Sequence, residues 1–123
     1  MKIKYLSVFT NNVEQQVTFF TEILGFEVYG KRKLMPDEEG ILIKTNSPEL
    51  FIIVLTDSES NYQRSRIIIN SQDCLNDYHN LKMSGVVFNN EPHYLPSGLG
   101  AEFSDPSGNQ YLLLEERNYS NQI

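Results

Sequence analysis

The sequence predicts an α+β fold built from two tandem βαβββ modules. Three observations carry this expectation: short runs of β-forming residues bounded by turn residues, two stretches in which apolar residues recur at helical spacing, and the same order of both in each half of the chain. Gly85 follows Gly25 by 60 positions and Ser65 follows Tyr5 by 60, so two faint copies of one unit fill the chain.

In the first module, residues 3–9 form a β-rich run that stops at Asn11 and Asn12. Asn12, with Gln15 three residues on, reads as a helix N-cap and its reciprocal partner. Val13, Val17, Phe20, Ile23 and Leu24 then recur at helical spacing, and Gly25 is placed to end the helix in a left-handed conformation. An extended segment restarts at 26–29, a turn is expected at 37–40, a strand at 41–44, a second turn at 46–48, and a last strand at 50–56. That last run shows no alternation, which predicts burial on both faces. The triplet Lys31, Arg32 and Lys33 suits a solvated edge strand, where charge discourages pairing with other chains.

The second module repeats the pattern, with a strand at 65–70, possible caps at Ser71 and Asp73, and Leu75, Tyr78, Leu81 and Lys82 at helical spacing before Gly85. Strands are expected at 86–88, 101–103 and 111–115, with turns at 96–100 and 105–109. Residues 57–64 are the natural joint between modules of about 1–57 and 64–117, residues 118–123 form a polar tail, and the whole, 1–123, is expected to be one domain.

Composition narrows the function classes. With 40% apolar and 21% charged residues the chain suits a packed globule. Its formal net charge of −6 opposes nucleic acid and anionic membrane as partners and favours a cationic or amphipathic guest. No apolar run approaches the ~20 residues of a membrane span, and no export signal opens the chain. The single cysteine, Cys74, forms no intrachain disulfide, so a cytoplasmic location is expected. Its place at a helix start would lower a thiol pKa, but a small apolar packing role is the commoner reading.

Two stretches carry a family resemblance. Residues 17–28 read VTFFTEILGFEV, similar to the FYxxxLGF signature that ends the first helix of the vicinal oxygen chelate superfamily, which includes glyoxalases, bleomycin-resistance proteins and extradiol dioxygenases. Residues 101–115 read AEFSDPSGNQYLLLE, resembling that superfamily's F-x-DP-x-GN turn and final strand. The resemblance implies that the modules form a curved, cup-like mixed sheet with helices on the convex side and a ligand in the hollow. A homodimer is also implied. Both signatures have structural roles: Phe19, Phe20, Leu24 and Phe26 supply an apolar helix face, and Asp105, Pro106 and Gly108 supply turn chemistry.

Metal-dependent members project His, Gln or Glu into the cup from the first and last strand of each module. Carried over, those positions hold Tyr5, Ile53, Ser65 and Leu112, which make a poor set for a divalent ion, so no metal and no cofactor is predicted. His79 is expected on an exposed helix face. Alternation from the same positions turns Ser7, Phe9, Leu55, Ile67, Ile69, Gln110 and Leu114 inward. His93, beside Tyr94, is a further candidate ligand contact. Glu102, three residues before Asp105, is the weak candidate for a catalytic base, against the plainer reading of a solvent-facing strand residue. The ligand-binding set is thus Tyr5, Ser7, Phe9, Ile53, Ser65, Ile67, His93, Glu102, Gln110 and Leu112. The leading expectation is a metal-independent protein that binds a small organic molecule without transforming it. The alternatives are a divergent metal-dependent lyase, isomerase or dioxygenase, and a structural or regulatory dimer module whose interior is packed solid.

Overall fold

A computed structural model describes residues 3–36, 38–56 and 66–117, and the chain divides into two compact units, Met1–Gln63 and Arg64–Ile123. The joint and the polar tail lie outside the described residues, as does Ser65.

The first unit runs β1 (Tyr5–Thr10), α1 (Val13–Thr18), β2 (Glu27–Met35), β3 (Glu38–Lys44) and β4 (Phe51–Thr56). Its sheet has the order β1-β4-β3-β2, with β1 parallel to β4 and the other pairs antiparallel. The second unit runs β5 (Arg66–Asn70), α2 (Cys74–Met83), β6 (His93–Leu95), β7 (Gly98–Ser104) and β8 (Gln110–Glu116), with the matching order β5-β8-β7-β6 and β5 parallel to β8. The duplicated module read from the sequence is therefore present in detail.

The helix starts are nearly superimposable in backbone. Asn12 (φ −145°, ψ 91°) accepts the Gln15 N–H at 3.1 Å, and Asp73 (φ −148°, ψ 87°) accepts the Asn76 N–H at 3.1 Å. Each cap satisfies a backbone donor that the helix leaves orphaned. The reciprocal half of the expected capping box is replaced, because the Asn12 N–H donates to Thr10 Oγ1 at 3.0 Å.

The end of α1 departs from the sequence expectation. It passes into a π-helical turn, Phe19–Ile23, closed by Leu24 N–H donating to Phe19 O at 3.1 Å, before Gly25 at φ 76° reverses the chain. Within the turn two adjacent rings, Phe19 and Phe20, are both buried, edge to face with centroids 5.9 Å apart. Burying one such ring contributes about 1.5–3 kcal/mol, which outweighs the poorer hydrogen bonding of the wide turn.

Two strand expectations are corrected. Residues 86–88 make only an isolated bridge, Phe88 to Phe103, and pairing resumes at His93–Leu95 after the polar run Asn89, Asn90, Glu91 and Pro92. That run lacks β-formers, and Pro92 has no N–H to give. Residues 96–100 are not all turn: Gly98, Leu99 and Gly100 belong to β7. A β-carbon at Gly98 (φ 147°) would collide with the Glu115 carbonyl, so only glycine lets the hairpin close onto β8 there.

β4 is buried on both faces, as its unbroken apolar run predicts, and Lys31, Arg32 and Lys33 are exposed on the edge strand β2. An aromatic file leads into the core of the second unit: Tyr78 of α2 meets Phe88 at 4.6 Å, Phe88 meets buried Phe103 at 5.1 Å, and Phe103 stacks on buried Tyr111 at 5.0 Å and 6°. Beneath it, buried Asp105 accepts from the N–H groups of Ser107 (3.0 Å) and Asn109 (2.9 Å), from Asn109 Nδ2 (3.0 Å) and from the Tyr111 hydroxyl (2.6 Å). Asp105 is thus the turn-former its context suggests. No helix among the described residues is long and apolar enough to cross a membrane.

Candidate functional site

Residues paired across neighbouring strands share a sheet face, so the register sorts the candidate side chains. In the first unit Tyr5 pairs with Phe51, Ser7 with Ile53, Phe9 with Leu55, and Ile53 with Leu42. Leu42, Ile53 and Leu55 form a buried cluster on which Tyr5, Phe9 and Phe51 pack. All four candidates of this unit, Tyr5, Ser7, Phe9 and Ile53, therefore lie on one face. The alternate residues Val8, Thr10, Ile43, Ile52 and Val54 are buried on the other, over which α1 packs against β4.

In the second unit the helix-bearing face is fixed by two contacts. The aromatic file runs from α2 to Phe103 and Tyr111, and the Cys74 N–H at the start of α2 donates to Glu115 Oε1 at 2.9 Å. The opposite face collects Glu102 and Leu112, which pair with each other, Gln110, and His93, which pairs with Gly100 in the row of Leu114. These four candidates are brought together. Ile67 is not: it pairs with Tyr111 and so lies on the helix side, as does Ile69 through Leu113. The expected phase of β5 is turned over by one residue, and Arg66, Ile68 and Asn70 take the open face instead. An unbroken Ile67-Ile68-Ile69 run has no alternation from which that phase could be read.

Arg66 is the residue the sequence reading missed. Its Nη2 lies 3.2 Å from Glu102 Oε2, with the carboxylate side chain 28% exposed and the guanidinium 56%. Glu102 is thus neither a free solvent-facing residue nor an isolated acid in an apolar wall. Its backbone N–H donates to Asn90 Oδ1 at 3.3 Å, and Asn89 Nδ2 donates to Gln110 Oε1 at 3.5 Å, so the 89–90 segment anchors the polar edge of this face. The exposed ring of His93 holds its Nδ1 3.1 Å from Glu91 O.

The described residues at the carried-over metal positions do not fit a divalent ion. Tyr5, Ile53 and Leu112 offer a phenol and two hydrocarbons, and no group of three His, Cys, Asp or Glu converges among the described residues. The acid nearest in sequence to the last strand's ligand position, Glu115, is turned to the helix side. There the Cys74 N–H and the Arg117 guanidinium (2.8 Å) hold its carboxyl below the usual carboxylate range. Cys74 is fully buried, and burial pushes its thiol up, assisted by Glu115, Asp77 and Asp73, an environment that suits packing. His79 is exposed on α2.

A family model described as Glyoxalase/Bleomycin resistance protein/Dioxygenase superfamily matches residues 2–112. The chain belongs to that superfamily. It is 23% identical over 117 residues to the uncharacterized protein YetH of Bacillus subtilis (strain 168), a match spanning 93% of this chain and 98% of that protein. Among solved structures it resembles TnmS3, an antibiotic binding protein from Streptomyces sp. CB03234, with TM-score 0.80 and 21% identity over 95% of this chain and 97% of that one. A superfamily member from Sphaerobacter thermophilus DSM 20745 has TM-score 0.80 and 23% identity over 94% of this chain and 98% of its own. At these identities the structural likeness establishes the fold.

Proposed function

We propose that this chain is a metal-independent, small-molecule-binding member of the superfamily that sequesters its ligand without transforming it. The observation that carries the reading is the chemistry of the sheet faces turned away from the helices. Where metal-dependent relatives need imidazole and carboxylate, this chain supplies Tyr5, Ile53 and Leu112, while Ser7, Gln110, His93 and the Arg66–Glu102 pair add a few polar groups to apolar walls. An apolar lining with sparse, placed polar groups is what small organic ligands require. The likeness to an antibiotic binding protein points the same way. Glu102, already engaged by Arg66, serves to orient a ligand and not as a proton acceptor.

The protein acts as a cytoplasmic homodimer, a state that light scattering of the purified protein tests directly. The ligand-binding reading is tested by calorimetric titration with a panel of aromatic metabolites and antibiotics, alongside elemental analysis of protein purified without chelator. Micromolar binding at sub-stoichiometric metal is the expected result. Stoichiometric iron, zinc, manganese or nickel would replace this reading with that of a metal-dependent lyase, isomerase or dioxygenase.

A further inference from the structure

The first unit's open face carries an aromatic corner that the sequence reading did not assemble. Phe51, on β4, is met by Tyr5 of β1 edge-on at 6.3 Å and 76°, and by Tyr29 of β2 at 4.8 Å and 56°. Tyr29 reaches it by way of an irregularity in β2. The register shifts between Val28 and Gly30, so Tyr29 has no partner of its own, and Gly30, paired with Leu42, lies on the same face. A bulge of this kind re-aims a side chain. Gly30 has φ 157°, and a β-carbon built on it meets nothing within 4 Å, which leaves open space beside the tyrosine. Tyr29 is 64% exposed, while Tyr5 and Phe51 are half-buried on the apolar cluster. The corner is therefore a half-buried two-ring floor with an exposed third ring, a surface on which a flat apolar guest can pack.

The charges around it oppose the expectation drawn from net charge. Lys4 Nζ sits 5.9 Å from the centroid of Tyr5, and Lys44 is the cross-strand partner of Phe51, so a lysine neighbours the rings on either side. The cross-strand row runs Tyr5, Phe51, Lys44, Glu27, so Lys44 stands between Phe51 and a carboxylate that precedes Tyr29 by two residues on β2. Arg32, opposite Gly40, adds a third cation to this face, and Glu38 stands at its far end beside Met35. Two lysines thus neighbour the rings in a chain whose overall charge is −6. Summed charge steers encounter, but it is the nearest groups that select the guest.

We infer that this corner takes a planar aromatic anion, a ring system bearing a carboxylate, sulfonate or phenolate. The rings are received by Tyr5, Phe51 and Tyr29, and the anionic group by Lys44 or Lys4. The inference rests on the ligand-binding reading above and deepens it by naming the ligand class.

Three matched probes test it by calorimetry at neutral pH: naphthalenesulfonate as the anion, naphthol as the neutral ring and naphthylmethylammonium as the cation. The anion binds tightest, about tenfold or more over the cation. Replacing the exposed Tyr29 (Y29A) weakens all three by about tenfold, and Lys44→Gln weakens the anion alone by about fivefold. Both side chains are solvent-exposed, so the variants fold, and an unchanged melting temperature verifies it. If the cation or naphthol binds as tightly as the anion, or Y29A and K44Q leave the affinities untouched, the anionic-ligand inference falls while ligand binding stands. If none of the three binds, both readings fall.

Discussion

The two units share one strand order and near-identical helix caps, yet the aromatic rings of their strands lie on opposite faces of the sheet. In the second unit Tyr78, Phe88, Phe103 and Tyr111 run between helix and sheet and end on the buried Asp105 turn. In the first, Tyr5, Phe51 and Tyr29 gather on the face away from the helix. A duplicated module can divide labour in this way: one copy turns the rings of its strands toward the helix, and the other buries the helix-borne Phe19 and Phe20 while its strand rings gather on the opposite face.

The sharpest way to break that comparison is to remove the polar anchor of the second unit. Asp105→Ala leaves the Tyr111 hydroxyl and several turn N–H groups without their acceptor, and it should cost about 3 kcal/mol or more. Urea unfolding measures the loss, and hydrogen exchange locates it, with protection falling in β7 and β8 before β1 and β4. Equal loss in both units would show that the anchor is not specific to its module. Tyr111→Phe keeps the stack and removes a single hydrogen bond, so it should cost about 1 kcal/mol by the same measurement.

A pH series sharpens the comparison further. Because Glu115 is held below the usual carboxylate range by the Cys74 N–H and Arg117, its contribution is present above the unfolded carboxylate pKa and is lost as pH falls through its lowered folded value. Urea midpoints of the wild type and Glu115→Gln should therefore differ at neutral pH and converge in acid. A difference that grows with acidity would contradict the sign. At the small end, Arg66→Gln removes an ion pair whose partners are 56% and 28% exposed, and stability should change by less than about 1 kcal/mol. A larger loss there would move the open face of the second unit from binding to cohesion.

The sequence made the duplicated architecture legible because its signals are local: a cap three residues from its partner, a glycine after a periodic run, a DPSGN turn. Both N-caps, the two-faced burial of β4 and the charged edge of β2 follow from such signals. Tyr5, Ser7, Phe9 and Ile53, and likewise Glu102, Gln110, Leu112 and His93, share faces as alternation requires. What was not legible depends on register between distant strands. Three consecutive isoleucines carry no phase, so Ile67 was turned to the wrong face and Arg66 was missed. The Tyr29 bulge is visible only once β2 is laid on β3. The polar run 89–92 deferred a strand that the glycine rule placed directly after Gly85.

In each unit the opening strand lies parallel to the closing one, β1 beside β4 and β5 beside β8. The opening strand of a module therefore has no partner within its sheet other than the closing strand, so a fragment that stops short of β4 or β8 lacks the mate of β1 or β5. Each sheet draws all its strands from its own half of the chain, so the longest-range pairing needed in either module spans that module alone.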